Sequence, residues 1–196
     1  DGKPIQMLGR HGVHSDTGCE QPAALVPRAA GPFNYPSELV VAPSGDLYVS
    51  DGYRNARVHR FASDGRLKTS WGEPGKAHPN EFHLPHSLMV GRDEKVYVCD
   101  RENHRIQVFS AEGEFLTIWD DIQRPMDICT DGDGVFHVSE GPVDGSSARI
   151  SLLDGNGAVQ ARFECRGMGH GLWVDSRGDI YLAGVPDAID KYVRQG

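Results

Sequence analysis

"YPSELVVAPSGDLYVSD" (35–51) is answered three times along the chain, by "LPHSLMVGRDEKVYVCD" (84–100), "RPMDICTDGDGVFHVSE" (124–140) and "MGHGLWVDSRGDIYLAG" (168–184). The four segments align without gaps. Each opens on an anchor, Pro36, Pro85, Pro125 or Gly169, and the same fifteen-residue step leads on to Asp51, Asp100, Glu140 or Gly184. Apolar residues alternate on either side of a turn rich in Gly, Asp and Ser, which is the pattern of a half-buried hairpin. A third apolar segment follows in each unit: "ARVHRF" (56–61), "HRIQVF" (104–109), "ARISLL" (148–153) and "IDKYV" (189–193). Glycine turns then lead to a fourth strand in "LKTSWG" (67–72), "FLTIW" (115–119) and "VQARF" (159–163). Four antiparallel strands in about 40–45 residues is the size of a propeller blade.

The fold class read from this repeat is all-β, a β-propeller of four four-stranded blades at about 34–72, 82–119, 123–163 and 168–196. One domain spans 1–196. The last unit stops at "KYVRQG" without its fourth strand. The opening residues "DGKPIQMLG" (1–9) match "DGRLKTSWG" (64–72) position for position. The expectation is that residues 1–9 close the last blade, since ring closure removes open edges. The alternative is that two copies, or a missing N-terminal segment, complete a larger ring.

Composition bounds the function. The net charge of −8 argues against a nucleic-acid backbone as partner, because phosphate binding needs a basic face. The apolar runs are too short to span a bilayer as helices, so no membrane partner is expected. The chain opens on Asp1 rather than Met, so secreted, periplasmic and cytoplasmic locations all stay open. Cys19, Cys99, Cys129 and Cys165 form no CxxC pair, which points to free thiols rather than a thiolate metal site.

The stretch from "VSDGYRNARVHRF" (49–61) to "PHSLMVGRDEKVYVCDRENHRIQVF" (85–109) resembles the NHL-repeat propellers. More narrowly it resembles the peptidyl-α-hydroxyglycine α-amidating lyases and their bacterial relatives, without their N-terminal blades. The resemblance implies a six-bladed parent fold with an axial zinc held by three histidines, and cleavage of peptidyl-α-hydroxyglycine to a peptide amide and glyoxylate. Two of those histidines correspond to His86 and His170, and a methionine corresponds to Met168. The tyrosine that acts as base corresponds to Tyr53, and an arginine near the substrate to Arg101. The first histidine and the first arginine of that family would lie upstream of Asp1. Gly171 stands where the family has an acidic calcium ligand.

Each candidate has a plainer reading beside the chemical one. His86 and His170 follow the anchors of alternate blades, so both are expected to face the central channel. There they either hold zinc or another divalent transition metal, or bond channel water and backbone. Tyr53 is a base or a packed aromatic, and Arg101 is a carboxylate fork or the partner of Glu102 or Asp51. Asp51, Asp100 and Glu140 recur at one blade position, as acids that cap turns do. His11 and His14 have HxxH spacing on a loop. His59, His83, His104 and His137 carry no assigned role. The two functions that follow are a metal-dependent carbon–nitrogen lyase, and a non-enzymatic propeller scaffold that binds a small molecule, peptide or protein at its channel mouth.

Overall fold

In the computed structural model, residues 2–185 and 187–194 are described. Asp1, Pro186 and the last two residues of the expected fourth blade lie outside them. Three four-stranded antiparallel sheets and one three-stranded sheet follow one another along the chain. The first contains β1 (Glu38–Val41), β2 (Leu47–Asp51), β3 (Arg57–Phe61) and β4 (Leu67–Trp71). After the short parallel pair β5 (Glu73–Pro74) and β6 (Glu81–Phe82) comes the second sheet, β7 (Pro85–Val90), β8 (Val96–Asp100), β9 (Arg105–Phe109) and β10 (Phe115–Trp119). The third holds β11 (Pro125–Thr130), β12 (Phe136–Glu140), β13 (Arg149–Leu153) and β14 (Val159–Glu164). The fourth holds β15 (Met168–Val174), β16 (Ile180–Val185) and β17 (Ala188–Tyr192). This is the all-β, four-bladed propeller that the repeat predicts, with sheets built from sequence-adjacent strands.

The chain divides into two compact units. Asp1–Val98 and Gln107–Thr117 form the first, and Cys99–Ile106 and Ile118–Gly196 the second. In the first, Tyr48, Val58, Trp71, Phe82, Leu88, Val98 and Phe109 form the core. In the second, Ile150, Leu172, Val174, Ile180 and Leu182 do so. The period-two alternation explains which residues point inward. In the register of β1–β2–β3, Val40 stands opposite Tyr48 and Tyr48 opposite Arg60. That face is covered, whereas Leu39 and Val41 on the other face are 50% and 65% exposed.

One contact between successive blades recurs. The glycine in the turn before a blade's fourth strand lies under the aromatic that ends the preceding blade's fourth strand. A Cβ on Gly113 would come within 2.7 Å of the Trp71 ring, and one on Gly157 within 2.3 Å of the Trp119 ring. Both glycines also hold φ near +85°, where a side chain is strained.

The N-terminal expectation needs correcting. Among the described residues the fourth sheet has three strands, and residues 2–9 form no strand with β17. The segment lies instead against the first sheet's turn. Gln6 Nε2 donates to the Ser63 carbonyl, and Leu8 sits over Gly65 as Trp71 sits over Gly113. Pro4 has no N–H to give a ladder, which weakens the segment as a strand. A cavity of about 520 Å³ separates Gln6 and Leu8 from Leu39, Leu47 and Val49.

Candidate functional site

The site of the first unit begins with a glycine. Gly52 follows Asp51 at the end of β2, and a Cβ there would lie 2.2 Å from the Pro85 carbonyl oxygen. Only glycine lets these two backbones touch. Their successors, Tyr53 and His86, are thereby set side by side. The Tyr53 hydroxyl is 3.0 Å from His86 Nε2, and the rings meet edge to face at 5.6 Å. Tyr53 is half-buried, and His86 is 4% exposed at the start of β7.

The frame around the pair is hydrogen-bonded throughout. Ser37 Oγ donates to the Pro85 carbonyl at 3.1 Å, and Ser50 Oγ to that of His86 at 3.4 Å. The fully buried Asp51 carboxylate accepts from Asn34 N–H at 3.0 Å, from Asn55 Nδ2 at 2.8 Å, and meets His59 Nε2 at 3.2 Å. His59 Nδ1 is 2.7 Å from Ser70 Oγ. His59 is therefore a core residue tying three strands. Residues 15–35 fold over the loop that carries Tyr53. Ala23 N–H donates to the Tyr53 carbonyl at 2.8 Å, and Thr17 Oγ1 to the Arg54 carbonyl at 2.7 Å.

Arg54 was not a candidate from the sequence. Its guanidinium lies 4.6 Å above the centre of the Tyr35 ring. A cation beside a tyrosine was the available signal.

The second unit holds Arg101 and His170. Arg101 is 7% exposed, and its Nε donates to Glu102 at 2.8 Å. Arg124 donates to the same Glu102 oxygen at 2.8 Å. Burial pushes the Glu102 carboxyl up, but the Arg124 hydrogen bond and the charges of Arg101 and Arg124 outweigh it and hold it below the usual range. Arg101 and Glu102 thus form an ion pair. His170, on β15, is held below its ordinary pKa by burial and by the charge of Arg101, with Asp127 opposing. The Sδ atoms of Met126 and Met168 would lie 3.4 and 3.5 Å from a Cβ on Gly141.

The recurring acids are buried anchors. Asp100 accepts from Asn103 Nδ2 and Arg105 Nε, each at 2.8 Å. Glu140 accepts from Gln123 N–H at 2.6 Å and Arg149 Nε at 3.0 Å, and from Ser151 Oγ. For metal chemistry, His86 stands in the first unit and His170 in the second. Among the described residues no three His, Cys, Asp or Glu side chains come together to hold an ion. His86 Nε2 is engaged by Tyr53. His11 and His14 are exposed, and none of the four cysteines is in a disulfide.

The fold and the two repeats that carry Tyr53, His86 and Arg101 define a class. Residues 33–61 and 82–109 match the NHL repeat, so the chain is a propeller carrying NHL repeats. Its relatives narrow the comparison. It is 38% identical over 109 residues to peptidyl-glycine alpha-amidating monooxygenase B of Xenopus laevis, covering 50% of this chain and 12% of that protein. It is 33% identical over 124 residues to peptidyl-alpha-hydroxyglycine alpha-amidating lyase 1 of Drosophila melanogaster, covering 59% of this chain and 20% of that protein. The chain thus spans a small part of these relatives' length. Among solved structures, Kuenenia stuttgartiensis hydrazine synthase superposes with a TM-score of 0.65 at 15% identity, over 95% of this chain and 49% of that one. That likeness is one of fold alone.

Proposed function

We propose that the chain is propeller machinery of a carbon–nitrogen lyase acting on peptidyl-α-hydroxyglycine, with Tyr53 as the proton-transfer group. The observation that carries this reading is the Tyr53–His86 pair, hydroxyl to Nε2 at 3.0 Å, in a stretch similar to proteins named for that reaction. The substrate is a carbinolamide, and its breakdown needs a proton taken from the hydroxyl and one returned to the departing amide nitrogen. Tyr53 takes the hydroxyl proton while passing its own to His86 Nε2. The C–O bond becomes the aldehyde of glyoxylate as the C–N bond breaks. The nitrogen leaves with the proton from Tyr53, which recovers one from His86, so proton and charge balance. Positioned acid–base transfer of this kind is worth about 10²–10⁴-fold.

The test is glyoxylate release from an N-acylated α-hydroxyglycine peptide, with and without added zinc, because the resemblance implies a metal. Release that falls at least about 100-fold in Tyr53→Phe, with the melting temperature kept, supports the reading. Equal rates in the parent and in Tyr53→Phe sink it. The second reading, a ligand-binding scaffold, is favoured by one observation. Arg101 is buried and its Nε already donates to Glu102.

A further inference from the structure

The lyase reading leaves the substrate's carboxylate without a cation in the first unit, and the structure offers one that the sequence did not single out. We propose that Arg54, laid on the Tyr35 ring, is the group that binds a ligand carboxylate beside Tyr53. This inference rests on the lyase reading for the identity of the carboxylate, and on geometry for the subsite itself.

Most arginines here are spent on acids. Arg57 pairs with Glu73, Arg60 with Asp46, Arg105 with Asp100, and Arg149 with Glu140. Arg54 is the half-buried arginine that meets no carboxylate among the described residues, in a chain with 28 acids to 20 bases. Its Nε is buried and has no hydrogen-bond partner. A guanidinium nitrogen in that state has lost water without gaining an acceptor, which favours an anion that can supply one.

Its position is fixed on three sides. The Tyr35 ring supports it at 4.6 Å, Thr17 Oγ1 holds its own carbonyl, and Tyr53 N–H donates to the Tyr35 carbonyl at 3.3 Å. A planar cation held flat on an aromatic loses little freedom when it forks a carboxylate. His14 meets the Tyr35 ring at 6.4 Å, and it lines with Arg10 and Ser15 a cavity of about 410 Å³. Ser15 Oγ is buried there without a partner. Asp16, the neighbouring acid, is taken up by Arg28.

The test is calorimetric binding of an N-acetylated dipeptide ending in glycine with a free carboxylate, and of the same peptide as its amide. The acid should bind the parent more tightly than the amide. Arg54→Gln should weaken the acid about tenfold or more, and Arg54→Lys should fall between, because it keeps charge but loses the fork. Melting temperatures check that each variant folds. An unchanged dissociation constant in Arg54→Gln overturns the proposal, as does a parent that binds acid and amide alike. Turnover is read apart. A parent that binds the acid through Arg54 but releases no glyoxylate keeps the subsite and removes the lyase. A parent that turns over while Arg54→Gln binds unchanged keeps the lyase and removes the subsite.

Discussion

Single atoms decide the candidate site. Gly52 has no Cβ, and that is why Tyr53 reaches His86. Gly52→Ala should push the loop from the Pro85 backbone, which cannot rotate away as a side chain can. A cost of about 1–3 kcal/mol is expected from such overpacking. Loss of Tyr53-dependent chemistry should accompany it, read by chemical denaturation and by the glyoxylate assay. Tyr53→Phe is the milder change. It removes one hydrogen bond to a partly buried ring and should cost about 0.5–1.5 kcal/mol. A larger loss would mean that the hydroxyl mainly holds the fold. The pair itself was not legible in the sequence, because residues 33 apart meet only once the sheets are built. Family resemblance named both residues without giving their contact. Arg54 was passed over because a lone loop cation is ordinary; its missing acid shows only in three dimensions.

At the level of the blade, buried acids and turn glycines do the joining. Asp100 is fully buried and paired with Arg105, so Asp100→Ala breaks a buried ion pair by removing one partner. The expected loss is about 3–5 kcal/mol, measured by urea unfolding. The glycines allow a controlled comparison. Gly134 and Gly157 both have φ of +83°, but a Cβ on Gly134 meets nothing within 4 Å, while one on Gly157 meets the Trp119 ring. Gly134→Ala should cost about 1–2 kcal/mol from φ alone. Gly157→Ala should cost more, with Trp119 fluorescence altered, and equal costs would show that the ring simply moves aside. Strands and turns were readable because side-chain period and turn chemistry agree in every blade. The fourth strand expected from residues 1–9 was not. Its pattern says what the segment resembles, whereas its partner depends on contacts that a pattern does not carry.

For the molecule as a whole, pH reports how its charges are held. His170 has a depressed pKa in the folded state, so the unfolded chain binds more protons at mildly acidic pH. Stability should therefore be full above about pH 6.5 and fall below it. Many carboxyls are depressed as well, Asp175 to about 2. Their contribution is present above about pH 4 and is lost as pH falls further. Melting curves from pH 3 to 8 should show both limbs, and His170→Gln should flatten the upper one alone. An upper limb unchanged in that variant would assign it to other histidines. The turn glycines carry a different lesson. An aromatic at the end of one blade fits a glycine in the turn of the next, and the fit has a direction, like plug and socket. Such modules can be cut and respliced in a new order provided every plug still meets a socket. A blade grafted without its glycine, or turned end for end, would find no seat. Gene duplication that copies whole repeats preserves this grammar automatically, which lets a chain of this kind lengthen or shorten by units without redesigning any joint.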